Sequence, residues 1–297
     1  MGEGPHRGLT VDDIIAHPAL HGAIRQQSRL LLQAYEANPR LASVFATQQR
    51  WLMAHGALGL YFRGSAGGGG VASARFFELV ATHDLASRNT ANAFVKEMLK
   101  YGYAQRAVGA TDKRARPFKP TQVTIDAIHG WVAVHLATLD RLDGGGRLKT
   151  FLGTPGALAV LHPLIADGVL TSPRLREPAK TFSLFTWLNN GGIVMDWLIA
   201  GIEDFEPGAE QIPTGVGSIG AMARWLRLSR THLARKLRAA EVMGSIGWQG
   251  RRGHSVMWIS DRFRREYTTA QAVKLSVIDA AFDAARFSRR TAPIDSV

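Results

Sequence analysis

The chain contains no cysteine. That absence excludes disulfides, thiolate zinc sites and a cysteine nucleophile. No uninterrupted apolar run comes near the roughly 18–20 residues needed to cross a bilayer. The first residues, Met1 to Asp13, lack the basic-then-apolar pattern of a secretory leader. A cytoplasmic location with no membrane association is therefore expected. Acidic residues are the minority: 24 Asp and Glu stand against 36 Lys and Arg, for a net charge of +12. An excess of this sign points to a polyanionic partner, with nucleic acid the leading class.

Other patterns are missing as well. No Ser-His-Asp or paired-carboxylate arrangement follows from spacing, so no catalytic residue and no cofactor is assigned and a non-enzymatic role is expected. Gly67–Gly70 are not followed by Gly-Lys-Ser/Thr, and they read as a flexible loop rather than a phosphate cradle. His17 and His21 have the spacing of zinc ligands on a helix. Pro18 between them marks a helix start instead, and no metal is expected. His129 and His135 flank Trp131 on an apolar helix, where packing or pocket lining is the simpler role.

What is present is a globular composition, 46% hydrophobic and 20% charged over 297 residues, enough for two domains. Residues 19–37 and 40–62 read as two long helices broken at Asn38-Pro39. A helix from Ala72 to Thr82 follows, then a turn at 83–86. Ser87 is a good N-cap. The helix behind it buries Ala91, Phe94, Val95, Met98 and Leu99 and leaves Arg88, Asn89, Asn92 and Lys96 outside. Gly102 stops it. Strands around 103–108 and up to Lys119 then enclose a charged tip, and a helix runs from Val123 to Leu139. Beyond Gly144–Gly146, helices are expected near 155–167, 181–202 and 219–228, with a loop at 203–217. A polar helix opens at Ser229, strands at 247–249 and 255–259 bracket the tip 250–254, and a last helix runs from Ser260 to Phe287.

The second pattern repeats the first. Ser87 and Gly102 fall on Ser229 and Gly244 at a constant offset of 142, Arg88 aligns with Arg230, and Val95 aligns with Leu237. Shared order over such a span indicates duplication. The triglycine then divides the chain into halves, 10–146 and 147–290, each with helices and a reading head.

The first half, roughly 40–140, resembles a MarR-type winged helix-turn-helix transcription regulator. The resemblance rests on Ser87-Arg88-Asn89-Thr90 opening the recognition helix, Met98 to Gly102 closing it, Arg106 just after, and Asp112-Lys113-Arg114 leading to Thr121. Pro120 stands where the family carries leucine. The second half, about 180–287, is similar in outline, with Arg251-Arg252 in its wing but no preceding aspartate. Such regulators work as dimers joined by terminal helices. The resemblance therefore implies a mainly α fold: two winged helix-turn-helix units with small β-hairpin wings, joined by a helical layer with internal pseudo-two-fold repetition. It also implies a monomer acting as a pseudo-dimer, or a higher assembly of it, with heads on one side and room for a small-molecule effector.

A recognition helix fits the major groove, where Arg matches guanine and Asn matches adenine. The candidate contacts with double-stranded DNA are Ser87, Arg88, Asn89, Thr90, Asn92 and Lys96 in one head, with Lys113, Arg114 and Arg116 in its wing. In the other they are Ser229, Arg230, Thr231, His232, Arg235 and Lys236, with Arg251 and Arg252 in the wing. Wing arginines suit the minor groove or phosphates. Two further readings stay open: a plasmid-type replication initiator, and a protein- or ligand-binding winged-helix module that does not touch DNA.

Overall fold

The computed structural model describes residues 8–45, 47–64, 70–107, 117–179, 184–185, 191–206 and 208–287. The described chain is mainly helical, with two small antiparallel sheets. It forms two compact units. The first gathers the described residues of Met1–Thr10, Gln49–Ser172 and Lys274–Val297; the second gathers Val11–Gln48 and Pro173–Val273. Each unit is thus assembled from segments far apart in sequence. The triglycine expected to separate two halves lies within the first unit, where Gly144 caps a helix in the left-handed region at φ 73°.

The second unit begins with α1 (Val11–Ala16), α2 (Leu20–Ala37) and α3 (Pro39–Val44). Asn38 ends α2 and caps α3, accepting from the Leu41 amide at 3.2 Å, with Pro39 in the first turn. The long helix expected over 40–62 is in fact two. α3 stops at Val44, where Ser43 Oγ turns back to the Pro39 carbonyl at 2.7 Å, a contact that competes with helix propagation. The chain restarts as α4 (Gln48–Gly64). The Gln48 side chain donates to the Leu175 and Arg176 carbonyls, fixing the restart.

The first unit is built from α4 onwards: α5 (Ser73–Thr82), α6 (Arg88–Lys100), β1 (Ala104–Arg106), β2 (Phe118–Pro120), α7 (Gln122–Asp143), α8 (Arg147–Gly153) and α9 (Ala157–Thr171). β1 and β2 are antiparallel, with Ala104 opposite Pro120. β2 therefore reaches Pro120, and Val71 bridges to Phe118 on its other side. A Cβ placed on Gly59 would sit 2.9 Å from Ala166 Cβ, so the absence of a side chain lets α4 and α9 cross closely. α8 was not expected. Asp140 Oδ1 and Oδ2 accept from the Arg147 and Leu148 amides at 2.9 Å each, and these bonds start it.

The second unit resumes with α10 (Pro173–Arg176), α11 (Gly191–Ala200), β3 (Gln211–Pro213), α12 (Ile219–Trp225), α13 (Arg230–Val242), β4 (Ile246–Trp248) and β5 (Met257–Ser260). Most of the expected 181–202 helix before α11, and the Ser65–Gly69 part of the expected glycine loop, lie outside the described residues. β3 emerges from a segment read as loop. It pairs with β5, giving the order β3-β5-β4. Its three residues, Gln-Ile-Pro, bury only Ile212, too short a run for periodicity to register. α14 (Asp261–Ala285) is the last of the described helices, and Arg286 just after it takes a left-handed φ of 49°. Its first turn is capped by Ser260 Oγ, 3.1 Å from the Phe263 amide. Residues up to Val273 belong to the second unit, and those from Lys274 to the first.

Candidate nucleic-acid interface

In the first unit α5 and α6 meet through a turn in which Asp84 takes φ 48° and the Leu85 amide returns to the Val80 carbonyl at 2.9 Å. Ser87 Oγ then accepts from the Thr90 amide at 3.2 Å and caps α6. The inner face of α6 buries Ala91, Phe94, Val95 and Met98, and Phe76 packs against both Phe94 and Phe118. Leu99 is only half-buried. Gly102, at φ 72°, turns the chain into β1. α4 braces this arrangement. Gln49 Nε2 donates to the Leu85 carbonyl at 2.8 Å, and Arg50 pairs with Glu97 at 2.6 Å. From the far side Thr121 and Thr124 of the α7 start donate to the Gly102 and Tyr103 carbonyls, each at 2.8 Å.

Ser87, Arg88, Asn89, Thr90, Asn92 and Lys96 are all exposed. Ser87, Thr90 and Arg88 have local partners. Thr90 Oγ1 lies 3.0 Å from Ser87 Oγ, and the Arg88 guanidinium stacks 5.2 Å from the Phe77 ring centre. Arg88 also borders a recess of about 250 Å³ lined with Ala74, Phe77, Glu78, Ala81 and Ala86. The wing residues Lys113, Arg114 and Arg116 lie outside the described residues.

The second unit builds the same local geometry from different side chains. Arg227 takes φ 52° in the turn, and the Leu228 amide returns to Ala223 at 2.9 Å. Ser229 Oγ accepts from the His232 amide at 3.4 Å. Leu233, Leu237 and Ala240 form the buried face of α13, and Gly244 turns the chain at φ 67°. The brace here comes from α2: Tyr35 Oη donates to the Leu226 carbonyl at 2.6 Å, with its ring against Trp225. In both units the amide that opens the helix after the hairpin, Thr121 or Ser260, returns to the carbonyl after the glycine stop, Tyr103 or Ser245.

Ser229, Arg230, Thr231, Arg235, Arg251 and Arg252 are exposed, whereas His232 and Lys236 are half-buried. Arg235 Nη2 reaches His232 Nδ1 at 3.1 Å. Because a guanidinium only donates, His232 Nδ1 accepts, and the imidazole keeps its hydrogen on Nε2. Arg252 is not held out as a free wing arginine. Its Nε lies 2.9 and 3.0 Å from the two Glu241 oxygens, and Nη2 donates to the Ala234 carbonyl at 3.2 Å. Arg238 and Trp248 Nε1 complete the node on Glu241 at 3.1 and 3.0 Å. Burial works to raise the Glu241 pKa; the bonds from Arg252, Trp248 and Arg238 outweigh it and hold the carboxyl below its ordinary range. Sequence reasoning passed over Glu241 and Trp248. The available signal was that Glu241 is the lone acid on an otherwise basic helix.

α6 likewise carries one acid, Glu97, and that acid is taken by Arg50. Each helix thus has its single carboxylate neutralised by a cation from another element. Cations and neutral polar groups remain on its exposed face.

His17 lies beyond the end of α1, and the His21 ring packs edge-on against Phe205. α1 ends at Ala16, and His17 Nδ1 accepts the Ala19 amide at 3.2 Å. Among the described residues no three His, Cys, Asp or Glu side chains are grouped to hold a metal ion, and no helix is long and apolar enough to cross a membrane. No protein family, curated protein or solved structure shows a significant match to this chain.

Proposed function

We propose that the chain is a sequence-specific, double-stranded DNA-binding transcription regulator of winged-helix type, similar to the MarR class, with both reading heads in one polypeptide. The observation that carries this reading is the face of α13. Arg230, Thr231 and Arg235 are exposed beside half-buried His232 and Lys236, over a buried stripe of Leu233, Leu237 and Ala240. Such a helix offers donors to guanine edges and phosphates. The hairpin of β4 and β5, with Arg251 at its tip, acts as the wing. Arg252 locks that wing to the helix through Glu241 and serves binding by position. α6, with Asn89 and Asn92, has the amides suited to adenine. The two heads therefore prefer different half-sites.

Pull-down of genomic fragments with sequencing, followed by salt titration on the enriched fragment, tests the proposal. Enrichment of a defined site with a steep salt slope supports it. Uniform weak retention with no enriched site rejects it.

A second reading, a protein-binding winged helix, is favoured by Val242, 79% exposed, and Met243, 37% exposed, at the end of α13. Retention of a protein partner by the Arg230→Ala/Lys236→Ala variant, in the absence of DNA enrichment by the native chain, would favour it.

A further inference from the structure

The core of the first unit holds three imidazoles, two in direct contact and the third joined to them through Trp131. His55 of α4, His135 of α7 and His162 of α9 are 2%, 0% and 0% exposed. His55 and His162 are stacked with ring centres 5.1 Å apart, and His162 Nε2 lies 3.2 Å from His55 Nδ1. Trp131 joins them to His135, its ring 5.0 Å from His55 and 4.1 Å from His135. His135 Nδ1 lies 2.7 Å from the Trp131 carbonyl and must donate to it. His135 Nε2 and His162 Nδ1 are buried and have no partner among the described residues.

The His55–His162 contact cannot take a proton on both rings. The His55–His162 bond needs one nitrogen with a hydrogen and one without. If both rings are protonated, two N–H groups face each other at 3.2 Å and two like charges share a dry site. The charged groups facing the layer make matters worse. Lys274 of α14 stands 5.9 Å from the Trp131 ring centre, and Arg63 of α4 donates to the Pro163 carbonyl at 3.0 Å. The carboxylate on this side, Asp167 of α9, is already paired with Arg63. Burial first, then these cations and the neighbouring imidazoles, hold the three pKa values down, that of His162 at about 3.

We infer that the His55–His135–His162 layer is an acid-operated lock, which opens the first unit by taking up protons and so frees the α6 head that α4 and α7 brace. The direction follows from linkage. An imidazole depressed in the folded state binds its proton only on opening, so stability is full above the ordinary value of 6.5 and is lost as pH falls below it. Three such rings lower the ratio of closed to open forms by up to about a thousand-fold per pH unit below about pH 6. α4 and α7 are the helices that hold the head, through Gln49, Arg50, Thr121 and Thr124. The inference is independent of what that head binds.

Hydrogen exchange of the full chain, read by mass spectrometry and corrected for the intrinsic rate at each pH, tests it. Peptides from α4, α7 and α9 should open about a hundred- to a thousand-fold more readily for each unit below pH 6, and His135→Gln should reduce that slope about tenfold. Opening that is independent of pH, or an unchanged slope in His135→Gln, overturns the lock. Should the variant not fold, the native imidazole Cε1–H resonances decide. Three rings that do not shift until the fold opens support the inference, and three that titrate near 6.5 in the intact fold overturn it.

Discussion

Arg147 Nε donates to Asp279 Oδ1 at 2.6 Å, with the guanidinium 3% and the carboxylate 0% exposed. The remaining Arg147 nitrogens reach Asp143 at 2.7 and 2.8 Å and Asp140 at 3.3 Å. Asp279 Oδ2 takes the Leu9 amide at 2.6 Å. One buried cation thus pins α14 to the α7–α8 corner of the first unit, and its pKa is pushed upwards because the carboxylates at Asp143 and Asp279 outweigh burial. Asp279→Ala leaves that cation in a dry site with one partner fewer. The expected loss is about 3–5 kcal/mol, read as a lower urea midpoint for the first unit. Asp143→Ala, at a carboxylate 21% exposed, should cost less. Equal losses would show that burial does not set the cost.

The DNA proposal makes a quantitative claim at α13. Arg230→Ala with Lys236→Ala removes two cations from the proposed phosphate-contacting face. The slope of log affinity against log salt should flatten by about 1.8, while the thermal midpoint changes little because neither side chain belongs to the buried stripe. Affinity measured on one fragment at several salt concentrations checks this. An unchanged slope removes the second head from the interface.

Glu241 should make the β4–β5 hairpin sensitive to acid. Its carboxyl is held below the ordinary value, so its contribution is present above about 4.5 and fades as pH falls through the lower folded value. Glu241→Gln keeps the shape but loses the charge that gathers Arg252 and Arg238. The expected cost is about 1 kcal/mol at neutral pH, vanishing at low pH, with faster exchange of the amides in β4 and β5. Denaturant titrations of native and variant chains at pH 7 and at successively lower pH give the comparison.

In the second unit Ser28, Asp196 and Tyr267 form a buried polar cluster. Ser28 Oγ lies 3.0 Å from Tyr267 Oη and 3.3 Å from Asp196 Oδ1, and Tyr267 also bonds the carboxylate directly. Burial, then the Asp196 charge, raises the Tyr267 pKa well above its ordinary value. Tyr267→Phe deprives a buried carboxylate of a donor and should cost about 1–3 kcal/mol. Adding Asp196→Asn should recover part of that loss, because the unmet charge is then gone. A double-mutant cycle on the urea midpoint measures the coupling.

The sequence made the local elements legible where a cap, an apolar stripe and a glycine stop agree. Ser87 and Ser229, Gly102 and Gly244 behave as read, because capping and left-handed stops are decided within one turn of chain. The end of α3 at Val44 and the restart of α4 at Gln48 were missed: the apolar content of 40–62 suits one helix, and the bond from Ser43 to Pro39 is invisible to periodicity. β3 was missed because three residues carry no period. The candidate contacts on α6 were legible as exposed positions from helix spacing alone, whereas on α13 His232 and Lys236 are half-buried. The role of Arg252 was not legible, since Glu241 lies 11 positions before it in the chain and only the hairpin brings them together. Nor were the partners of Arg147 and His55 legible, because Asp279 and His162 come from remote segments.

The division of α14 bears on how the chain is made. α2 leaves the ribosome early, yet it packs against α11, and its Gln27 bonds Gln271 of α14 at 2.9 Å. The first unit also waits for α14, whose Asp279 neutralises Arg147. Neither core is complete until the same helix has been synthesised. The apolar faces of α2 and α9 therefore lack part of their cover until α14 has been made.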